Sequence, residues 1–563
     1  MKKILPLVLL ATLTLASCAK IPAKRTIEID HKTQWVDSVY NSMSLKEKVG
    51  QLFMVSAYSN RSESHTDSIQ QLINDYHIGG LIFFQGGPMR QAKQTNHYQS
   101  ISKVPLFIGV DGEWGLNMRL DSTSRYPYNM TLGAISNNDI VKKIGEQIGK
   151  DCNRMGIHIN FAPVVDINTN SKNPVIGVRS FGEDKVNVTE KAWAFTDGMQ
   201  STGVLACAKH FPGHGDTDTD SHKTLPTVSF SKERINEIEL YPYKELFKKG
   251  IAGVMVAHLN VPSLESQEGL PSSLSYKIVS ELLKDQLNYD GLIFTDALNM
   301  KGAADYGEPG DIDLAAFKAG NDVLLFTVDA PKAILKIMEA HDQESISEAR
   351  LAHSVKKILG AKFDAGLNNY APIKMEGLVN DLNQDINVEL YAAAIENAIT
   401  LIKNENQMLP LKTSAKDTIA FLKLGDASAD QFLTELKSRA HVIDISSLSA
   451  KLTLEKLSEY DKIFISHHRE NSRITSAISD EDRHLIESIS KNHKTILTVF
   501  ASQYSLKETD LKDVESVLVA YENSEVANRI TADIIFGAAD AKGTLPASIT
   551  NDFSVNTGIK TSK

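Results

Sequence analysis

Short continuous apolar runs alternate with longer stretches of helical periodicity through the first two thirds of the chain. The runs lie at 52–56, 80–84, 106–110, 158–161, 204–209, 253–257, 292–295 and 322–326. Continuous rather than alternating apolar character, bounded by turn residues, predicts strands covered on both faces, and the helical spacers predict parallel pairing. Eight strand–helix repeats close most economically as a (β/α)8 barrel, with an open doubly wound sheet as the alternative.

The pattern changes near residue 373. Periodicity weakens over 373–384, and 388–398 reads as a connecting helix. Apolar runs at 419–422, 442–445, 463–466, 496–500 and 517–520 then predict a second α/β domain, a sandwich built on a mostly parallel sheet. No G-x-G-x-x-G loop follows its first strand, which argues against a dinucleotide site. The predicted division is a barrel over 33–372, a linker and connecting helix over 373–398, and the second domain over 399–563.

Ahead of the barrel, Lys2 and Lys3 precede an apolar run over 4–15 that is too short to span a bilayer. Leu15-Ala16-Ser17-Cys18 resembles a bacterial lipoprotein cleavage box. It implies a signal peptide over 1–17, lipidation of Cys18, a tether over 18–32, and a protein anchored in the cell envelope, on the periplasmic side of a membrane or at the surface.

Composition narrows the function. A chain of 563 residues with 42% hydrophobic content can bury more than one core. A net charge of −10 and the lack of a basic cluster argue against nucleic acid as a partner. Cys152 and Cys207, in apolar surroundings, read as buried free thiols.

A barrel carries its chemistry just beyond the C-terminal ends of its strands. Asp111, Glu113, Asp166, Lys209, His210, His258 and Asp296 all fall there. The densest group is the loop Lys209-His210-Phe211-Pro212-Gly213-His214-Gly215-Asp216-Thr217-Asp218-Thr219-Asp220-Ser221-His222. Its aspartate spacing imitates a calcium loop, but Ser221 and Thr227 stand where that loop needs glycine and glutamate. A zinc site on His210, His214 and His222 lacks the helix that would align a histidine pair, since Pro212 and two glycines interrupt it. No metal or cofactor is implied.

This loop resembles the signature K-H-F-P-G-H-G-D-T-x-x-D-S-H of family 3 glycoside hydrolases, in their β-N-acetylglucosaminidase branch, and meets each of its fixed positions. Leu401-Ile402-Lys403-Asn404 and Gly543-Thr544-Leu545-Pro546 resemble the opening and closing motifs of that family's second domain. The resemblance implies an exo-acting, retaining enzyme that removes terminal N-acetylglucosamine from peptidoglycan fragments or related glycans through a covalent glycosyl-aspartate. Gly291-Leu292-Ile293-Phe294-Thr295-Asp296-Ala297-Leu298-Asn299-Met300 resembles the nucleophile segment, with Asp296 as nucleophile, a residue that could equally cap a helix starting near Ala297. The resemblance assigns the acid/base to His222, oriented by Asp220, where most of the family uses a glutamate from the second domain. A carboxylate two residues away fixes the tautomer of such a histidine, so that it can give a proton and then take one back.

By the same resemblance Asp111, Arg119, Arg179, Lys209 and His210 bind the sugar. Trp114 replaces a glycine of the commoner D-x-E-G-G-R pattern, and either stacks on a second ring or packs into the barrel mouth. His214, Asp216 and Asp218 read as loop architecture, and His258 as a satisfied strand-end histidine. A neutral imidazole repels phosphate less than a carboxylate does, so phosphorolysis is the alternative reaction. A lipid-anchored glycan-binding protein without turnover is the alternative class. The enzyme is expected to act as a monomer.

Overall fold

The computed structural model describes residues 30–220, 224–414, 417–448 and 455–561. Eight parallel strands form the first domain: β1 (Phe53–Ala57), β2 (Gly80–Phe83), β3 (Phe107–Val110), β4 (Ile159–Asn160), β5 (Leu205–Phe211), β6 (Gly253–Val256), β7 (Leu292–Thr295) and β8 (Leu324–Leu325). Each pairs with its sequence neighbour, β8 pairs with β1, and a parallel bridge from Phe294 to Val323 closes the ring. The continuous apolar runs are explained by burial on both faces: every residue of β2 through β8 is buried. Inside the barrel Phe161 and Phe294 meet edge to face at 5.3 Å. A Cβ on Gly109 would lie 2.8 Å from the Phe161 ring, so the small residue makes room for the large one.

The second domain has β9 (Thr400–Asn404), β10 (Ile419–Gly425), β11 (Val442–Asp444), β12 (Lys462–His468), β13 (Thr495–Phe500) and β14 (Ser516–Val519). The order is β11-β10-β12-β13-β14-β9, parallel except for β9, which runs antiparallel to β14. The helix Asp385–Ala398 joins the domains. Cys152 and Cys207 are buried free thiols, as the apolar surroundings suggested. No helix among the described residues is long and apolar enough to cross a membrane.

The second domain packs against loops that follow barrel strands, on the face where the site opens. Buried Glu522 accepts hydrogen bonds from Arg125 (2.7 Å), the Tyr128 N–H (2.8 Å) and the Thr131 hydroxyl (3.0 Å). Asn168 donates to the Tyr504 hydroxyl at 2.9 Å. Met130 and Val178 of the barrel share an apolar cluster with Tyr504 and Ala547. In Arg179-Ser180-Phe181-Gly182 the last position requires glycine: its φ is 142°, and a Cβ there would sit 2.2 Å from the Pro546 carbonyl oxygen.

Candidate active site

The ends of β3, β4 and β5 build an ionic network from the inside outward. At β3, the turn Asp111-Gly112-Glu113 is pinned by Asn160 of β4, whose side chain accepts from the Gly112 N–H (2.8 Å) and donates to its carbonyl (3.1 Å). At β5, the ladder to β6 slips between Lys209 and Phe211, so two residues oppose one. Such a bulge re-aims a side chain that regular alternation would send to the other face. Consecutive Lys209 and His210 therefore both line one cavity.

Lys209 donates to Asp111 at 2.8 Å and pairs with Glu113 at 2.9 Å. Arg119 holds the other oxygen of Asp111 at 2.6 Å. Arg179 grips Glu113 through two nitrogens, at 3.0 and 2.8 Å. Burial alone would raise both carboxyl pKa values, but Lys209 and Arg119 bring Asp111 down to about 2, and Arg179 and Lys209 hold Glu113 well below the usual range. Burial would also strip the proton from Lys209, which Asp111 and Glu113 prevent. The network is thus charged throughout at neutral pH.

Asp166, beyond β4, orients the histidines. It accepts from the His210 ring Nδ1 (2.7 Å), the His210 backbone N–H (3.2 Å) and the His214 backbone N–H (2.7 Å). With Nδ1 donating to the carboxylate, Nε2 of His210 points toward Arg179, 3.4 Å away. His214 bonds the Thr217 hydroxyl at 2.7 Å, and Thr169 donates to Asp216 at 2.8 Å, so both residues brace the loop. Burial, then the neighbouring His210, lowers the His214 pKa to about 4.

Asp296 ends β7 and accepts from the Ala297 N–H at 2.7 Å. Burial pushes its carboxyl up, but His210, His258, the Ala297 N–H and Lys209 outweigh it and leave the group below its ordinary value, hence ionised. The helix-cap reading is corrected: the next helix is Lys301–Ala304, and Met300 occupies its cap position. The loop between has room to keep Asp296 at the cavity. His258 is fully buried and satisfied by Ser273 (2.7 Å) and the Ala297 carbonyl (3.0 Å).

Asp111, Arg119, Arg179, Lys209, His210 and Asp296 line a single cavity of about 440 Å³. Its size suits one sugar ring with part of a leaving group. Asp220, partly exposed on the loop after β5, is not among the described residues that line it. His222 and Cys18 lie outside the described residues. Trp114 lines the same cavity, 8% exposed and packed edge to face on Tyr128 at 5.0 Å. Glu113 and Asp166 were legible as rim residues, but their work as holders of Arg179, Lys209 and His210 was not. Arg473, the second-domain residue on the cavity wall, had no signal in the sequence.

Residues 44–361 match the glycosyl hydrolase family 3 N terminal domain, and residues 399–562 match the glycosyl hydrolase family 3 C-terminal domain. The chain is 31% identical over 439 residues to a protein named beta-hexosaminidase A from Pseudoalteromonas piscicida, which covers 71% of this chain and 72% of that one. The solved structure of a family 3 beta-N-acetylglucosaminidase from Paenibacillus sp. str. FPU-7 superposes with a TM-score of 0.75 at 30% identity, over 90% of this chain and 99% of that one. A beta-glucoside phosphorylase is similar in fold, with a TM-score of 0.80 at 21% identity over 93% and 97% of the two chains.

Proposed function

The chain belongs to glycosyl hydrolase family 3, and on that premise we propose that its barrel cavity hydrolyses terminal N-acetylglucosamine from peptidoglycan fragments with retention of configuration. It is a glycoside hydrolase of the β-N-acetylhexosaminidase type, an activity supported by its relatives. The observation that carries the residue assignment is the convergence of ionised Asp296 with Asp111, Arg119, Arg179, Lys209 and His210 on one cavity.

In the first step an oxygen of Asp296 bonds to the anomeric carbon as the bond to the aglycone oxygen breaks, and His222 gives that oxygen its proton. In the second, water bonds to the same carbon, the ester to Asp296 breaks, and His222 takes the water's proton. The charged network meets the hydroxyls of the terminal sugar, since charge-assisted hydrogen bonds are the strong kind. Asp220 steadies His222 in the form each step needs.

Peptidoglycan fragments as substrate, and an envelope location, rest on the lipoprotein-like segment ending at Cys18. Replacing Cys18 with serine is expected to move the protein from the membrane fraction to the soluble one; an unchanged distribution would count against the anchor. The reaction is tested with 4-nitrophenyl N-acetyl-β-glucosaminide, analysing the sugar product with and without phosphate. Free N-acetylglucosamine is expected in both cases, and sugar 1-phosphate as the main product would overturn hydrolysis. Comparing rates on muropeptides and chitobiose tests the substrate class, and a preference for chitobiose would move it to chitin fragments.

A further inference from the structure

We infer that Arg473, delivered by the second domain, reads the leaving group and selects aglycones that carry an anionic substituent. The inference rests on the hydrolase reading of the cavity above and adds a specificity residue to it.

Among the described residues that line the cavity, Arg473 is the one contributed by the second domain. The other basic side chains there are already taken: Arg119 by Asp111, Arg179 by Glu113, and Lys209 by both. These three cations are matched by Asp111, Glu113 and Asp296, so Arg473 is the surplus positive charge on the wall. Its guanidinium has no carboxylate partner among the described residues; it lies over the face of Trp114, 5.4 Å from the ring centroid. Arg125, which flanks the same aromatic pair at Tyr128, is by contrast neutralised by Glu522 at 2.7 Å.

The arginine is presented by a formed loop. Buried Arg469 donates to the carbonyls of Ser476 (2.9 Å), Ile474 (3.4 Å) and Ala477 (3.4 Å), so the segment after β12 is wrapped around its guanidinium. The Asn471 side chain accepts from the Arg473 N–H at 3.1 Å. Thr475 packs against the Gly177 turn that leads to Arg179. Arg473 itself is exposed, whereas Trp114 is nearly buried beneath it. A leaving group entering over Trp114 therefore meets a guanidinium rather than an indole face. A planar, permanently charged fork with open donors matches a carboxylate in bidentate geometry.

The test uses full-length enzyme and four probes. They are a β-1,4 disaccharide whose leaving sugar carries an ether-linked lactate, the methyl ester of that lactate, chitobiose, and 4-nitrophenyl N-acetyl-β-glucosaminide. Wild type is expected to favour the free acid over its ester in kcat/KM. Arg473→Ala should lower kcat/KM for the free acid by about tenfold while the three neutral substrates stay within about twofold, because the lost contact is to the charge alone. Equal losses on all four, or no loss on the acid, would overturn the role of Arg473 while leaving the hydrolase reading intact. Failure of wild type to cleave any of the four would remove that reading, and this inference with it.

Discussion

Three N–H groups converge on the Asp166 carboxylate, and two belong to His210. An amide in its place would present its own N–H₂ to at least one of those donors. Asp166→Asn is therefore expected to release the His210 ring and lower kcat/KM about tenfold without loss of fold. Wild-type kinetics would show that His210 is positioned by something else. Asp296→Ala should lower kcat by roughly a thousandfold or more on an aryl glycoside, as expected for loss of the proposed nucleophile. His222→Ala should slow chitobiose far more than a nitrophenyl glycoside, whose leaving group needs little protonation; equal losses would argue against His222 as the acid. The residues proposed to bind the sugar were readable because they sit in long motifs. Glu113 and Asp166 were not assigned roles because their partners, Arg179 and His210, lie 66 and 44 positions further on, a separation that periodicity does not bridge.

At the scale of elements, the barrel was legible because burial on both faces leaves an unbroken apolar run at each strand. Ends were less so. Only two residues each of β4 and β8 join the ladder, although longer apolar runs surround them, and β5 extends through Phe211 because of its bulge. A further consequence lies on the helix Asn138–Arg154. Its Asp151 is buried and accepts from Gln147 (3.0 Å) and from Asn387 of the connecting helix (3.3 Å). Burial outweighs those bonds and raises its carboxyl to about 7. Since the unfolded chain releases this proton near the ordinary value of about 4, stability from this site is fully present below that pH and is lost as pH rises toward 7. Urea unfolding of wild type and Asp151→Asn across that window should show a steeper decline for wild type. Parallel curves would mean that Asp151 ionises normally.

On the scale of the whole molecule, Glu522 is the fastener between the domains. Glu522→Ala would strand the Tyr128 N–H and the Thr131 hydroxyl and leave Arg125 without its carboxylate. Because Arg125 keeps some contact with water, the expected cost is about 2 kcal/mol, read as a lower urea midpoint. A shift below measurement error would mean that the apolar cluster around Tyr504 alone holds the joint. The two-domain plan was visible in the sequence as a break in periodicity near residue 373, whereas the contact between the domains was not, since nothing local distinguishes Glu522 from any other glutamate. The seam passes through Tyr128, Thr131, Asn168 and Gly182, all on stretches of chain that also carry or flank pocket residues. A chimera that imported only a relative's second half would arrive with mismatched mortise and tenon. Any successful transplant must bring these barrel stretches along, which makes the pair, rather than either half, the unit that evolution or an engineer can exchange.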